Sequence, residues 1–339
     1  SPLVLESMFA VAASLLLSDR REAFHDLCRA AHDLFGESTD ARVQYLLARM
    51  TALPREPAIE PQRLVQLAED AWDGGGHPWH RHALSLCLLR AGQPQRAIEE
   101  VDYPSLTELE EWSAAPLNWL VLAIAHRQAG DHEKAKPWLD KARQWFDRNP
   151  PNGGSRLHPH DRLAGRLLLR EAEQGVIEAM DRALALDPND AQAWNERGVA
   201  YRRLGQSQQA IADHSRAIEL EPEESRYWRD RAHANCEAGD WSNAVRDFSE
   251  SIRIDPTQAR VHYLCALAHL GAGEQEGYRD ACARMMGQFR ETESALAAHW
   301  LASACALAPG TVADLPQAVK AAGHAVAKDP DEDLLLSTL

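Results

Sequence analysis

The chain has 339 residues, and its 51 acidic residues against 36 lysines and arginines leave a formal net charge of −15. This acidic balance argues against nucleic-acid binding, because phosphate neutralisation needs a basic surface. A membrane span is also excluded, since no apolar run reaches the roughly 18 residues that crossing a bilayer requires. The six cysteines form no C-x-x-C pair, which favours a reduced, cytoplasmic compartment.

The first part of the chain, residues 1–149, is typical of irregular helix hairpins. Small and large apolar residues recur at helical spacing, and polar or glycine-containing turns separate them. We predict hairpins near residues 3–36, 40–74, 78–106 and 116–149. A proline- and glycine-rich break at 149–155 is the best candidate for a hinge or domain boundary.

Four units of 34 residues follow in one register over residues 157–292. They begin at Leu157, Ala191, Ser225 and Ala259. The eighth residue of each unit, which we call place 8, is always small, because two antiparallel helices must approach closely there. Place 32 is a proline in the first three units, where its missing N–H stops a helix. Each unit is therefore predicted to be one helix hairpin.

The last part, residues 293–339, predicts one more hairpin near 294–330 and then the start of a truncated repeat. Residues 278–325 also match residues 24–71 without a gap, which indicates a duplicated module longer than one repeat. Both ends of the chain look cut from something longer. Because each hairpin buries its apolar face only against its neighbours, we predict an all-α, right-handed superhelical solenoid of about nine hairpins.

The clearest unit resembles a tetratricopeptide repeat (TPR). Its large, small and aromatic residues follow the TPR rhythm at Trp194, Gly198, Tyr201, Ala210, Ala217 and Pro222. The resemblance covers almost the whole chain and is most specific over residues 157–258. Two strings, at 157–163 and 305–310, also resemble TPR regions of large bacterial serine/threonine kinases and WD-repeat signalling proteins. This closer resemblance implies an accessory scaffold of a signalling polypeptide, not the kinase itself.

TPR proteins usually bind ligands in a concave groove lined by the first helix of each hairpin. Carried onto this chain, the resemblance implies a partner-binding site at Asn195, Arg202, Arg203, Arg226, Arg229, His233, Arg260 and Tyr263. Arginines suit carboxylates and phosphates, because each guanidinium offers two parallel donors. The predicted partner is therefore an acidic or phosphorylated peptide or protein segment. Alternatively, these arginines pair with their own neighbours Glu196, Asp230 and Glu237 and only solvate the surface.

The sequence offers no catalytic constellation. It contains no glycine-rich phosphate loop, no His-Arg-Asp or Asp-Phe-Gly motif, and no Gly-x-Ser-x-Gly motif. Two histidine groups, at residues 77–82 and 158–160, lack companions at zinc-site spacing. We therefore expect a noncatalytic protein-interaction scaffold with no cofactor and no metal, and with neither nucleic acid nor membrane as a partner.

Two rival hypotheses remain at this level. The first is a regulatory or self-assembly segment of a serine/threonine kinase that acts through dimerisation or intramolecular docking. The second is an enzyme hidden around residues 74–115, because Asp102 and the acidic stretch at 108–111 bring carboxylates together; an exposed acidic loop is the simpler interpretation. The sequence leaves the partner's identity and the oligomeric state open.

Overall fold

The computed structural model describes residues 2–71, 77–108, 112–150, 157–292, 294–307 and 323, and their regular structure is entirely α-helical. The chain divides into two compact units, Ser1–Gly175 and Val176–Leu339. Within each unit the helices pack against their neighbours along the chain. The predicted all-α repeat solenoid is therefore confirmed for the described residues.

The first unit starts with four helix pairs. Its helices are α1 (Pro2–Leu17), α2 (Arg21–Phe35), α3 (Ala41–Thr51), α4 (Pro61–Asp70), α5 (Pro78–Arg90), α6 (Pro94–Val101), the short α7 (Pro104–Thr107), α8 (Ala115–Gln128) and α9 (His132–Arg148). A proline lies in the first turn of each helix from α4 to α8, where its missing N–H leaves no hydrogen bond unmade. First helices also contact one another, α1 with α3 and α3 with α5. The core is centred on large side chains such as Phe9, Phe24 and Trp119, which are almost fully buried.

The second unit is more regular. After α10 (Pro159–Leu186), which contains the boundary between the units, come α11 (Ala191–Arg203), α12 (Ser207–Leu220), α13 (Ser225–Glu237), α14 (Trp241–Ile254), α15 (Ala259–Gly271), α16 (Gln275–Phe289) and α17 (Ala295–Ala306). The ring at place 4 donates a hydrogen bond to the carbonyl of the proline that ends the preceding unit. The pairs are Trp194 with Pro188, Trp228 with Pro222 and His262 with Pro256, at 2.9, 2.8 and 3.0 Å.

Close helix approach at place 8 is visible at Gly198. A β-carbon added there would lie 2.7 Å from the His214 ring on the next helix, a distance at which one of the two groups must move. The corresponding residues Ala232 and Ala266 are also buried. The small residues at place 8 therefore act as predicted, by letting the paired helices touch.

A glycine in the left-handed conformation reverses the chain in five hairpins. These glycines are Gly92, Gly130, Gly205, Gly239 and Gly273, with φ between +67° and +83°. Glycine adopts this conformation without the steric cost that a β-carbon brings. In the 34-residue units the glycine occupies place 15.

The unit predicted at 157–190 is not a hairpin, because these residues form the single helix α10. Place 15 of this unit is Glu171, where the other three units have glycine. The left-handed turn is therefore missing, and the residues around Glu171, which include Arg170 and Ala172, favour a continuous helix. The hairpin prediction was wrong at this position, and the boundary between the compact units falls within the same helix, after Gly175.

Seven hairpins lie among the described residues, whereas about nine were predicted. One is lost because α10 is continuous. Residues 308–322 and 324–330 of the hairpin predicted at 294–330, the predicted start of a truncated repeat and residues 151–155 of the predicted hinge lie outside the described residues. Among the helices that the structure describes, none has the length and apolar character needed to cross a membrane.

Candidate partner-binding site

The predicted site residues lie on the first helices of three consecutive hairpins. Asn195, Arg202 and Arg203 are on α11, the residues Arg226, Arg229 and His233 are on α13, and Arg260 and Tyr263 are on α15. The helices α11 and α13 contact each other directly, because each hairpin stacks on the next with its first helix beside the preceding first helix. A 34-residue period thus brings residues that are far apart in sequence onto one face.

His233 is the point at which the predicted arginines act together. Burial and the positive charges of Arg202, Arg229 and Arg260 together lower the pKa of its imidazole to about 4, while Asp230 opposes them. The ring packs edge-on against Phe248, with centroids 5.4 Å apart. At neutral pH His233 is therefore uncharged, and the positive charge of this face comes from the guanidinium groups around it.

Two of these arginines already have carboxylate partners within the array. Arg202 Nη1 lies 2.7 Å from Glu237 Oε1, and Arg229 donates to Asp230 Oδ1 at 3.0 and 2.9 Å. This pairing is the alternative left open by the sequence. The side chains of Arg202 and Arg229 nevertheless remain 22% and 33% exposed. The Glu237 side chain is 41% exposed, and exposed pairs of this kind contribute roughly 0 to 1 kcal/mol, so an incoming anion can replace Glu237 on Arg202 at little cost.

Asn195 supports the face from below and is only 6% exposed. Its amide nitrogen donates to Asp230 Oδ2 at 3.1 Å, and its oxygen accepts from His214 Nδ1 at 2.8 Å. Burial lowers the pKa of His214 to about 4, so this imidazole is neutral and carries its proton on Nδ1. The network holds Asp230 in place, which makes Asn195 a positioning residue.

The opposite edge of the face is aromatic. The ring of Tyr263 packs against Trp300 of α17, with centroids 5.0 Å apart, and the Arg260 guanidinium lies 5.7 Å from the Trp300 ring. Sequence reasoning missed Trp300. A fifth 34-residue step would put it at place 8, where every earlier unit has a small residue, and that departure was the available signal.

The remaining two predicted residues lie at the ends of their helices. The Arg226 guanidinium lies 5.0 Å from the Tyr227 ring, and it donates to the Tyr227 hydroxyl at 3.2 Å. Arg203 is half-buried near the end of α11. We call the surface formed by Arg202, Arg229, His233, Arg260 and Tyr263 the arginine face.

A second arginine cluster lies in the first unit and was missed by sequence reasoning. Arg49, Arg90 and Arg143 pair with carboxylates of α10. A signal for part of it was present, since Arg90 lies two residues before a turn glycine, as Arg203 does. Arg90 lies outside the regular units, and its acidic partner Glu171 is 81 residues away along the chain.

His82, Cys28 and Cys87 are buried in the helix packing. The His82 imidazole is fully buried and shares a 2.7 Å hydrogen bond with Asn118, and burial lowers its pKa to about 3. Burial also raises the pKa of the Cys28 and Cys87 thiols to about 12, which leaves them in the unreactive protonated form. Among the described residues, no group of three or more potential ligands could hold a metal ion.

Comparison with known protein families identifies one repeat in this chain. Residues 191–224, which comprise α11, α12 and the turn that follows, match the family model described as tetratricopeptide repeat. A search of curated proteins found no match to the chain.

Solved structures with a similar chain path include other helical proteins. A structure of MamA is 19% identical over 48% of this chain and 92% of its own, with a TM-score of 0.39. PilW, described as a widely conserved type IV pilus biogenesis factor, is 19% identical over 63% and 94%, with a TM-score of 0.34. The TPR2AB-domain:pHSP90-complex of yeast Sti1 is 15% identical over 90% and 99%, with a TM-score of 0.28. At these scores the similarity carries no functional argument.

Proposed function

We propose that this chain is a noncatalytic protein-interaction scaffold whose arginine face binds an acidic or phosphorylated segment of a peptide or protein. The observation that carries the proposal is the placement of Arg202, Arg229 and Arg260 on three consecutive first helices, α11, α13 and α15, with Arg202 reaching Glu237 of the next first helix at 2.7 Å. Stacked repeats offer such extended faces to partners, and one unit of this face matches the tetratricopeptide repeat model.

The chemistry of the face suits an oxyanion. A guanidinium can donate two parallel hydrogen bonds to a carboxylate or phosphate. Glu237 is 41% exposed at its side chain, so a ligand anion can take over Arg202 without leaving a buried charge unpaired. Tyr263 and Trp300 add an aromatic edge that an apolar neighbour of the anion can contact. A short segment held in this way binds in roughly the micromolar range.

The proposed setting is a bacterial cytoplasmic signalling polypeptide. It rests on the resemblance of residues 157–163 and 305–310 to TPR regions that accompany serine/threonine kinases and WD-repeat proteins. In this setting the array recruits a partner to the signalling protein and performs no phosphoryl transfer itself.

The test reverses the charge of the face. The variant Arg202→Glu/Arg229→Glu is compared with wild type for binding to arrays of acidic and phosphoserine peptides, and for affinity capture followed by mass spectrometry. We expect the variant to lose binding at least tenfold, about 1.4 kcal/mol, while its helical circular dichroism and a cooperative melting transition show that it is still folded.

A matched control changes the same charges on another face. Arg216 and Arg253 lie on the second helices α12 and α14 and pair with Glu219 and Glu250. The variant Arg216→Glu/Arg253→Glu should keep wild-type binding. If the folded arginine-face variant binds as well as this control, the arginine face is not the site.

A specific observation favours self-assembly as a second candidate function. Helix α1 exposes Leu3, Val4 and Val11 at 70%, 49% and 51%, and Val4 and Val11 are two helical turns apart on one side. An apolar stripe of this kind is suited to another helix. Light scattering over a concentration range tests it: a rise in mass that Val4→Glu/Val11→Glu abolishes supports self-assembly, and a strictly monomeric chain excludes it.

A further inference from the structure

The first half of α10, residues 159–175, lies across the helices of the first unit. The His160 ring packs edge-on against Phe9 of α1, with centroids 5.3 Å apart. Arg170 Nη1 lies 3.5 Å from the carbonyl oxygen of Leu17, the last residue of α1. Further contacts reach α3, α5, α8 and α9, and we call the surface they form the N-terminal cradle.

Asp161 is held at the start of this segment by Arg49 of α3. The Arg49 Nη2 to Asp161 Oδ1 distance is 2.7 Å, and the two side chains are 2% and 5% exposed. The Arg49 guanidinium lies 4.7 Å from the Phe9 ring and 4.2 Å from the Trp79 ring. Burial raises the pKa of the Asp161 carboxyl, but the Arg49 charge and a hydrogen bond from His160 outweigh it and bring the pKa to about 2. Asp161 is therefore ionised whenever the segment is in place.

Two further carboxylates, Glu171 and Glu173, bind arginines near the C-terminal end of the segment. Arg90 of α5 grips Glu171 with two hydrogen bonds of 2.6 and 2.8 Å, and Arg143 of α9 grips Glu173 with two, one of them 2.9 Å long. The carbonyl oxygens of residues 52 and 53 fix the Arg90 guanidinium from behind, at 2.8 and 3.1 Å. Both carboxylates thus meet arginines oriented for bidentate recognition.

The apolar contacts follow one helix face. Ala164, Leu168 and Ala172 are buried at the i, i+4, i+8 spacing of an amphipathic helix. A β-carbon added to Gly165 would lie 2.5 Å from the Phe146 ring of α9 and 3.0 Å from Leu117 of α8. The cradle therefore fits a helix that has a glycine where it faces α8 and α9.

We propose that the N-terminal cradle is a binding site for an amphipathic helix that carries three carboxylates in this pattern, and that residues 159–175 are its internal occupant. An external helix of the same pattern competes with residues 159–175 for the cradle. Buried ion pairs are no more stable than apolar packing of the same volume, and their best-attested use is to specify register or to act in a switch. Here three arginines on three helices each pair with one carboxylate of a single segment. This arrangement is expected of a site that recognises a helix by the spacing of its carboxylates.

The internal occupant lowers the apparent affinity of the cradle for an external helix, and the size of this effect can be calculated. A tethered segment has an effective concentration of about 1 mM. If the segment binds with a dissociation constant of about 10 μM, the cradle is open about 1% of the time, and the apparent affinity for an external helix falls about 100-fold. Loosening the internal helix should restore that affinity.

The experiment uses the full chain and a fluorescent synthetic peptide of residues 157–175. Gly165→Leu in the chain places a bulky side chain against Phe146 but leaves Arg49, Arg90 and Arg143 unchanged. We expect this variant to bind the peptide at least tenfold more tightly than wild type by fluorescence anisotropy. The variant Gln174→Leu, at an exposed position of the same helix, is the matched control and should bind as weakly as wild type.

Specificity is tested with a peptide that carries Asp161→Asn, Glu171→Gln and Glu173→Gln, which should bind at least tenfold more weakly than the original. Circular dichroism and denaturant titration check that Gly165→Leu is folded. Should it be unfolded, the chain with the same three amide substitutions takes its place and should bind the original peptide. A folded variant that fails to bind the peptide, or that binds both peptides equally, overturns the proposal.

Discussion

The N-terminal cradle of the first unit and the arginine face of the second unit use arginine on first helices in different ways. In the first unit Arg49 and Asp161 are 112 residues apart in sequence and almost fully buried. In the second unit Arg229 pairs with the adjacent Asp230, and Arg202 with Glu237 one repeat later, and these arginines remain partly exposed. Depth of burial therefore separates arginines whose carboxylate partners are enclosed from arginines whose pairs are open to solvent.

The largest expected effect concerns the buried pair. Arg49→Ala should lower the free energy of unfolding by about 3 to 5 kcal/mol, because it leaves the Asp161 carboxylate buried without its cation. Urea denaturation followed by circular dichroism measures it. The double variant Arg49→Met/Asp161→Leu should recover most of the loss, since an apolar pair replaces the ion pair. A loss below about 1 kcal/mol for the single change would show that the pair is not buried in solution.

Acid should destabilise both units through neutral buried histidines. The pKa of His214 is about 4 in the folded chain, against an ordinary value of 6.5. A lowered pKa contributes stability that is fully present above pH 6.5 and is lost as the pH falls towards 4. At about 1.4 kcal/mol per pH unit, the loss reaches about 3 kcal/mol for this group. Urea midpoints between pH 7.5 and 4.5 should fall in wild type and fall less steeply in His214→Gln; parallel curves would contradict the assignment.

The turn glycines should show a backbone effect that is independent of contacts. Gly205→Ala should cost about 1 to 2 kcal/mol, because φ is +77° there and nothing lies within 4 Å of an added β-carbon. Gly287 lies within α16 with equally free space, so Gly287→Ala is the matched control and should stabilise by about 0.5 to 1 kcal/mol. Thermal melting of both variants tests the opposite signs, and a shift in the same direction would refute the explanation.

The smallest effect concerns the exposed pair of the arginine face. A double-mutant cycle on Arg202→Ala and Glu237→Ala should give a coupling energy of no more than about 1 kcal/mol. High salt should reduce it further, because the pair is solvent-exposed. A coupling energy of about 3 kcal/mol or more would mean that Arg202 is held as tightly by its partner as Arg49 is, and the contrast between the units would disappear.

Much of the helical organisation could be predicted from the sequence because it is encoded locally. Small residues at place 8 and prolines at place 32 mark where helices touch and stop, and they recur every 34 residues. The hairpin prediction was wrong for residues 157–190, although Glu171 at place 15 already lacked the glycine that the turn needs. The turn at place 15 needs a positive φ, which glycine adopts easily and glutamate does not. The absence of glycine at this one position outweighed a periodic pattern that otherwise favoured a hairpin.

The candidate sites were predicted less evenly. The arginine face was predicted by register, since a fixed repeat length places equivalent residues on equivalent helix faces. The sequence did not predict which residues of this surface are buried. Asn195 is buried and donates to Asp230, whereas Arg260 is exposed, and nothing in the sequence distinguishes the two. The occupied N-terminal cradle escaped prediction because Arg49 and Asp161 belong to different helices, and no periodicity relates them.

By itself the sequence determined the helices, their pairing and the small residues at their contacts, because each depends on neighbours within about one repeat. Only the tertiary structure decided which arginines are buried and which are exposed. For Arg49, Arg90 and Arg143 that choice depends on where residues 159–175 lie, and the contacts that hold this segment combine side chains from five helices. Local propensity carries no information about such contacts, whereas burial converts the same guanidinium group from a surface charge into part of an enclosed ion pair.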